Sequence, residues 1–248
     1  MSLLEVRGVT KRFGGLTALD AIDLTVAQGG VHGLMGANGA GKTTLFSIIA
    51  GNQRATEGEI RFEGARIDGL GPDRICRRGI ARTFQIVRPL PDLSARENVE
   101  IAILFGRTDR PGASERGRIV TDILGECGLA DHAESPAATL TLSGRKRLEV
   151  ARALGTAPRL LMLDEVMAGL TPTEVGEMMQ AIRRVKERFG LTLLIIEHVM
   201  HALSELSDRI TVLHHGQRIA EGTPQEIAAD PRVAEAYFGA DDPEEAAP

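Results

Sequence analysis

The chain has 248 residues, which is enough for one domain with a sizeable buried core and an inserted lobe. Its net charge of −5 argues against a nucleic-acid-binding protein with a broad basic surface, and no apolar run reaches the roughly 18 residues that a membrane-spanning helix needs. The two cysteines, Cys76 and Cys127, match neither a metal-binding pattern nor a disulfide framework. We therefore expect a soluble protein from a reducing compartment that binds no nucleic acid.

The first elements along the chain are indicated by alternating apolar and polar residues. Leu4 and Val6 alternate with polar neighbours and residues 22–26 repeat the pattern, which predicts two antiparallel strands. The apolar run VHGLM (31–35) then stops at a glycine. The stretch TTLFSIIAG (43–51) ends in a glycine that is typical of a helix C-cap. The predicted order is therefore strand, glycine-containing loop and helix.

Helical signals dominate the middle of the chain. GIARTF (79–84) predicts a further strand, after which the character of the sequence changes. Ser94 and Glu97 have the spacing of a capping box, and apolar residues recur at three- and four-residue spacing as far as about residue 154. Residues 87–156 are therefore expected to form a helical subdomain inserted in the core.

The carboxyl-terminal part predicts a buried parallel sheet. LLML (160–163) and LTLLII (191–196) are continuous apolar runs, as is typical of parallel strands covered on both faces. They frame a predicted helix from Pro172 to about Phe189. Residues 241–248 are small and acidic, so we expect them to form a disordered tail.

A phosphate-binding loop is the strongest motif in the sequence. GANGAGKTT (36–44) matches the pattern G-x-x-x-x-G-K-[ST], and it lies between a predicted strand and a predicted helix, as that motif requires. Its glycines let backbone N–H groups converge on phosphates. Lys42 can reach the β- and γ-phosphate oxygens, and the Thr43 hydroxyl is placed to bind Mg²⁺. The residues expected to contact the nucleotide are Gly36, Ala37, Asn38, Gly39, Ala40, Gly41, Lys42, Thr43 and Thr44.

This loop, combined with the predicted elements, defines the expected fold class. We expect an α/β protein with a P-loop NTPase core around a parallel sheet, an antiparallel β lobe and an inserted helical subdomain.

Two acidic residues follow one of the predicted buried strands. Asp164 stands at the carboxyl end of that strand, where α/β sheets bind ligands, and its carboxylate can hold Mg²⁺ directly or through water. Glu165 can accept a proton from a water that attacks the γ-phosphate. Alone, the pair would equally suit a cap on the next helix, and the phosphate loop favours the catalytic interpretation.

Three further residues are candidates for the same site. His198 follows the strand at 191–196, so it should emerge at the same sheet edge and hydrogen-bond the γ-phosphate and the attacking water. Gln85 ends the strand at 79–84, and its amide oxygen is a possible Mg²⁺ ligand. Phe13 lies beside two glycines and could stack on a base, with a place in the core as the alternative. The remaining histidines are interpreted as surface or capping residues: His32, His132, His201, His214 and His215.

Taken in order along the chain, these motifs resemble the ATP-binding subunits of ATP-binding cassette (ABC) transporters. The resemblance covers nearly the whole chain, with residues 1–240 as a single nucleotide-binding domain. It implies ATP and Mg²⁺ as cofactors and an ATPase that closes two cassettes head to tail. In the terms of that family, Phe13 stacks on adenine, residues 36–44 are the Walker A loop, Gln85 is in the glutamine loop, Asp164 and Glu165 form Walker B with its catalytic glutamate, and His198 is the switch histidine.

The resemblance also implies partners and a location. The membrane permease subunits of such transporters would dock a helix in the groove between the lobes, near residues 85–97. The chain would then be a cytoplasmic subunit, peripheral to the inner face of the cell membrane.

The family's signature motif, usually LSGGQ, corresponds to residues 140–144 in an ungapped alignment. Thr141, Ser143 and Gly144 would then contact ATP held by the other subunit. An alternative alignment starts the motif at Leu142 and deletes two residues. Three cations follow the motif, and they would lie near the phosphate of that ATP or in solvent: Arg145, Lys146 and Arg147.

Departures from the family concern the contact between subunits. Leu142 stands where a glycine is usual, Gly144 where the glutamine is usual, and Thr171 where an aspartate is usual. A different cassette partner could supply a fuller signature to the ATP bound by this chain. We therefore expect a heterodimer, with a homodimer as the alternative.

Within the family, several stretches resemble the ATPases of branched-chain amino-acid importers: RFGGLTAL, RTFQ, RLEVARAL, AGLTPTE and IAEGTPQEI followed by DPRVAEAYFG. This implies amino-acid import, with a periplasmic or extracellular solute-binding protein as an indirect partner. The alternatives are transport of urea, of amides or of exported lipid, and a soluble cassette ATPase. A GTPase is disfavoured because the guanine-reading N/T-K-x-D motif is absent from the sequence, and a P-loop kinase because no acceptor pocket is indicated.

Overall fold

The computed structural model describes residues 1–83 and 89–238. Two features predicted from the sequence lie outside these ranges: the Mg²⁺ ligand Gln85 and the acidic tail at 241–248. The strands are β1 (Ser2–Phe13), β2 (Leu16–Ala27), β3 (Val31–Met35), β4 (Glu57–Phe62), β5 (Ala65–Arg66), β6 (Ile80–Arg82), β7 (Leu160–Asp164), β8 (Thr192–Ile196), β9 (Arg209–His214) and β10 (Gln217–Gly222). The helices are α1 (Lys42–Ile49), α2 (Pro72–Arg77), α3 (Ala95–Gly106), α4 (Ala113–Glu126), α5 (Leu142–Gly155), α6 (Pro172–Phe189), α7 (Met200–Leu206), α8 (Pro224–Ala229) and α9 (Pro231–Phe238).

The strands form two sheets. The larger sheet has the order β10-β9-β3-β8-β7-β6, in which β9, β3, β8, β7 and β6 are parallel and β10 is an antiparallel edge strand. The smaller sheet is antiparallel, with the order β2-β1-β4-β5. The predicted fold class, an α/β P-loop core with a parallel sheet and an antiparallel β lobe, is confirmed.

The larger sheet separates two hydrophobic clusters. Leu161 and Leu193 pack on one face with helices α3 to α6, whereas Met162 and Leu194 pack on the other face with α1 and the β lobe. Every residue of β3, β7 and β8 is buried. This two-sided burial explains why these strands are continuous apolar runs in the sequence.

Local sequence signals account for the ends of several helices. Helix α3 begins after Ser94 in the predicted capping box with Glu97. Helix α6 begins at Pro172, as predicted, after a second capping box formed by Thr171 and Glu174. It ends at Phe189 before Gly190, which adopts the left-handed conformation with φ of 61°.

The helices α3, α4 and α5 occupy the chain between β6 and β7. They correspond to the segment predicted as an inserted subdomain, and its boundaries remain a prediction. None of the helices in residues 1–83 and 89–238 is both long and apolar enough to cross a membrane.

Candidate active site

The phosphate loop connects β3 to α1, and two of its glycines stand at positions where a side chain would be strained and would collide with neighbouring atoms. Gly36 and Gly41 have φ of 154° and 103°, in the region that disfavours side chains. A Cβ at Gly36 would lie 2.4 Å from the carbonyl oxygen of Leu213, and one at Gly41 would lie 2.6 Å from Cδ2 of Leu19. The backbone therefore turns tightly into α1, and residues 37–39 are exposed beside the amino end of that helix.

Lys42 is the first residue of α1, and its side chain folds back along the loop. Nζ donates to the carbonyl oxygens of Gly36 at 2.6 Å and Ala37 at 2.9 Å. Burial lowers the pKa of this ammonium, and the nearby carboxylates of Glu165 and Asp164 act in the opposite direction. The ammonium is thus close to both acidic residues that the sequence predicted for the site.

Asp164 ends β7 with its carboxylate fully buried. Its Oδ2 accepts a hydrogen bond from Nη2 of Arg82 at 2.6 Å, and its backbone N–H donates to Oγ1 of Thr83 at 3.0 Å. Its Oδ1 is buried without a hydrogen-bond partner among the described residues. Arg82 is not among the residues predicted for the site, and the signal that indicates it is a charged residue inside a short strand of the buried sheet.

The unpartnered oxygen tests whether the site suits a metal. The buried, unpartnered oxygen of Asp164 and the exposed hydroxyl of Thr43 at the start of α1 have the hard oxygen chemistry that Mg²⁺ prefers. The described residues contain no cluster of three acidic, histidine or cysteine side chains that would hold an ion alone. Thr43 and Asp164 therefore fit an ion whose remaining ligands are phosphate and water.

Glu165 and His198 meet at the same edge of the sheet, as the sequence predicted. Oε1 of Glu165 lies 2.8 Å from Nε2 of His198. Glu165 has φ of 53°, the left-handed conformation, and its N–H donates to the carbonyl of Ile196 at 2.9 Å. A strained backbone of this kind persists only where its surroundings hold it, and it aims the carboxylate at the imidazole.

Lys146 supplies part of that support. This buried residue of α5 donates from Nζ to the carbonyl oxygens of Glu165 at 3.0 Å and Ala168 at 2.6 Å. Its neighbour Arg147 pairs with Glu177 on α6 at 2.6 Å. The alternative that these two cations lie in solvent is therefore wrong, because both bind groups of their own chain. A place near the phosphate of ATP held by another subunit remains a prediction.

The signature residues start α5. Thr141 is the N-cap, and its Oγ1 accepts a hydrogen bond from the N–H of Gly144 at 3.1 Å. Ser143 is buried, whereas Leu142 is 40% exposed. Contacts of Thr141, Ser143 and Gly144 with a nucleotide of another subunit remain a prediction.

Phe13 ends β1 and is 46% exposed, so its ring is not part of the core. Nζ of Lys11 lies 4.8 Å from the ring centroid. Farther along the same β1–β2 hairpin, Leu19 faces Gly41 of the phosphate loop. The hairpin thus leads from the loop to an accessible aromatic ring, and stacking on adenine remains a prediction.

His32 corrects one interpretation. A surface or capping position is expected from the sequence, but His32 lies within β3 with 3% exposure, and its Nε2 is 2.8 Å from Oγ1 of Thr211 on β9. Burial lowers the pKa of His32 to about 4. A single polar residue in an apolar strand was satisfied by a neighbouring strand that the sequence analysis did not identify.

Comparisons with known proteins agree with this arrangement. The family described as ABC transporter matches residues 19–168, and the family described as branched-chain amino acid ATP-binding cassette transporter matches residues 217–243. The chain is 39% identical to the high-affinity branched-chain amino acid transport ATP-binding protein BraF of Pseudomonas aeruginosa, in a match that covers 96% of this chain and 98% of BraF.

Two solved structures have the same fold. The ADP conformation of MJ1267, an ATP-binding cassette of an ABC transporter, is 32% identical with a TM-score of 0.87, over 96% of this chain and 99% of that one. A dimeric post-hydrolysis state of the ATP-binding cassette MJ0796, bound to ADP and phosphate, is 25% identical with a TM-score of 0.79, over 89% and 98% of the two chains. The chain therefore belongs to the ABC transporter family, as one of its ATP-binding and ATP-hydrolysing subunits.

Proposed function

We propose that this chain is the motor subunit of an importer for branched-chain amino acids and that it hydrolyses ATP with Glu165 as general base. The observation that carries the catalytic assignment is the pairing of Glu165 with His198 at 2.8 Å beside Asp164. The choice of branched-chain amino acids as the solute is supported by the similarity to BraF. It is also supported by the family match at residues 217–243, which lies outside the nucleotide-binding motifs.

The phosphate loop would bind ATP through the exposed backbone N–H groups at its tip and through Lys42. Thr43 and Asp164 would hold Mg²⁺, together with Gln85 as the sequence predicts. When bound, the ion neutralises charge that develops on the phosphates. Phe13 would stack on the adenine ring.

Glu165 would take a proton from the attacking water, which then adds to the γ-phosphorus as the bond to the β-phosphate oxygen breaks. With Glu165 ionised, its 2.8 Å contact requires a proton on Nε2 of His198, because a carboxylate only accepts. The same N–H group can serve the γ-phosphate once the water occupies Glu165. His198 would therefore orient both the base and the phosphate.

Two kinds of partner complete the proposal. A groove of about 500 Å³ is lined by Ile75 of α2, Arg82 of β6, Ala102 of α3 and Glu149 of α5, and it would receive a segment of a membrane permease. The chain would then lie at the cytoplasmic face of the membrane, and a periplasmic or extracellular solute-binding protein would act on it only indirectly.

A second cassette would supply the signature side of each ATP site. Thr171, at the start of α6, and Leu142 are exposed, so both can face that partner. Their departures from the family pattern favour a heterodimer with an unlike cassette. The dimeric solved structure of MJ0796, a cassette of the same fold, supports association of this chain with a second cassette.

The test is reconstitution in liposomes with candidate permeases, a candidate second cassette and a candidate binding protein from the same genome. ATP-driven uptake of labelled leucine, abolished by Glu165→Gln in this chain, is the expected result. Uptake of urea or of an amide instead would overturn the choice of solute. ATP turnover by the isolated chain that the permeases and the second cassette leave unchanged would oppose the motor assignment and favour a soluble ATPase.

A further inference from the structure

The side chain of Arg82 joins three elements of the site: its own strand β6, helix α1 and strand β7. From β6, its Nη1 donates to Oγ of Ser47 on α1 at 3.0 Å, and its Nη2 donates to Oδ2 of Asp164 on β7 at 2.6 Å. The guanidinium carbon lies 5.8 Å from the ring centroid of Phe46, also on α1. One side chain therefore bridges the helix of the phosphate loop and the strand that carries the acidic pair.

The two oxygens of Asp164 have different surroundings. Oδ2 is occupied by Arg82, whereas Oδ1 is buried and has no hydrogen-bond partner within residues 1–83 and 89–238. An aspartate on its own can turn about its last torsion and exchange its two oxygens. The fork of the arginine removes that freedom because one arm is fixed to Ser47 while the other holds Oδ2.

We propose that Arg82 is a positioning residue for the metal: it fixes the Asp164 carboxylate so that Oδ1 faces Mg²⁺, directly or through water. This inference rests on the proposed role of Asp164 as an Mg²⁺ ligand. Partners of metal ligands commonly contribute in this way, and their loss typically lowers metal affinity by about 10–100-fold.

The charge of Arg82 acts in the opposite direction. A cation beside Asp164 repels Mg²⁺, so a purely electrostatic effect would make the metal bind more tightly when the arginine is removed. A purely structural bridge would instead affect nucleotide binding with and without metal by the same factor. These three effects make different predictions for two variants.

Arg82→Gln removes the charge and the fork, and Arg82→Lys keeps the charge without the fork. Isothermal titration of each purified variant with ATP in excess EDTA, and with ATP at graded Mg²⁺, measures the metal-dependent gain in affinity. We expect affinity in EDTA close to that of the unaltered chain, and a Mg²⁺ half-saturation concentration about 10–100-fold higher in both variants.

Ser47→Ala provides a milder variant, because it removes only the anchor on α1. It should shift Mg²⁺ half-saturation in the same direction by a smaller factor, and thermal unfolding followed by circular dichroism verifies that each variant is folded. If either Arg82 variant fails to fold, Ser47→Ala carries the test.

Each contrary result has a distinct meaning. If Mg²⁺ binds more tightly to Arg82→Gln and equally well to Arg82→Lys, the effect of Arg82 on the metal is charge repulsion, and the positioning role is wrong. Equal losses in EDTA and in Mg²⁺ would make Arg82 a structural bridge. An unaltered chain without any Mg²⁺-dependent gain would defeat the proposed function itself, whereas a normal gain that all variants share would defeat only this inference.

Discussion

Oε1 of Glu165 lies 2.8 Å from Nε2 of His198, although 33 positions separate the two residues in the sequence. The contact exists because β7 and β8 are adjacent parallel strands, so the residues that follow them emerge together. It turns two separate sequence motifs into one chemical unit.

Replacement of Glu165 tests its proposed role as the general base. Glu165→Gln keeps the size of the side chain but cannot accept the proton of water, so turnover should fall by about 10²–10⁴-fold while MgATP still binds. Phosphate release measures turnover and isothermal titration measures binding. Turnover equal to that of the unaltered chain would remove Glu165 from the mechanism.

Replacement of His198 tests the proposed role of its imidazole. His198→Ala should leave ATP and ADP affinity intact and reduce hydrolysis, because the imidazole is proposed to act on the γ-phosphate and the water. His201→Ala is the matched control, since His201 is exposed on the following helix and pairs only with Glu205 within the described part of the chain. A sharp loss of ADP affinity in His198→Ala would make this histidine structural.

The exposed aromatic ring gives a prediction about the base. Phe13→Ala should weaken the binding of ATP and of GTP to a similar extent. Stacking contributes about 1–3 kcal/mol per base and depends little on which base is bound. Leu16→Ala is a suitable control, since Leu16 pairs with Phe13 across the hairpin and is also exposed. Titrations in which both variants bind ATP as tightly as the unaltered chain would contradict stacking.

The buried lysine of α5 links stability to catalysis. Lys146→Met removes an ammonium that binds two backbone carbonyls, one of them that of Glu165. Hydrogen bonds from charged groups contribute about 1.5–3 kcal/mol, so the free energy of unfolding should fall by that order and turnover should fall with it.

Arg145→Met, one residue before, is its control, because the Arg145 side chain has no hydrogen bond or ion pair in the ranges that the structure covers. Urea denaturation and phosphate release measure the two effects. Equal stability of the two variants would contradict the role given to Lys146.

The raised pKa of Glu197 predicts that the stability of the protein depends on pH. Burial is the main cause that raises its pKa to about 7, and Glu165 adds to this, whereas Lys146 and the N–H groups of Met167 and His198 lower it. The unfolded chain releases the proton near the ordinary value of 4.5, so the folded state binds more protons between pH 4.5 and 7. The free energy of unfolding contributed by Glu197 therefore falls as pH rises through this window.

Glu197→Gln should remove that contribution while keeping an acceptor for the N–H of Met167. The stability of the variant relative to the unaltered chain should increase from pH 4.5 to about 7 and then level off. The comparison is relative because His32, with its lowered pKa, gives the opposite slope in both proteins. Parallel curves from urea denaturation at each pH would contradict the assignment.

Sequence patterns predicted those elements whose signal is local. The phosphate loop, the capping box at Ser94 and the buried strands at 160 and 191 each depend on residues that are close together in the chain. The adjacency of Glu165 and His198 also followed from strand order in an α/β sheet.

Other features could not be found in this way because their partners are distant in sequence. Arg82 meets Asp164, and Lys146 meets the carbonyl of Glu165, only after the sheet and α5 have packed. His32 is satisfied by Thr211 on the adjacent strand β9. In each case a charged or polar side chain looked solvated until its tertiary neighbour was known.

The pairing of β3 has a consequence for synthesis on the ribosome. This strand leads into the phosphate loop, yet its sheet neighbours are β8 and β9, which are translated more than 150 residues later. The carbonyl of Ala40 in the loop also receives a hydrogen bond from Gly216. A nascent chain halted before residue 192 would already contain the loop and both acidic residues, but the strand under the loop would have no partner. We therefore expect nucleotide to be captured late in translation, because ATP stabilises only states of the chain that bind it.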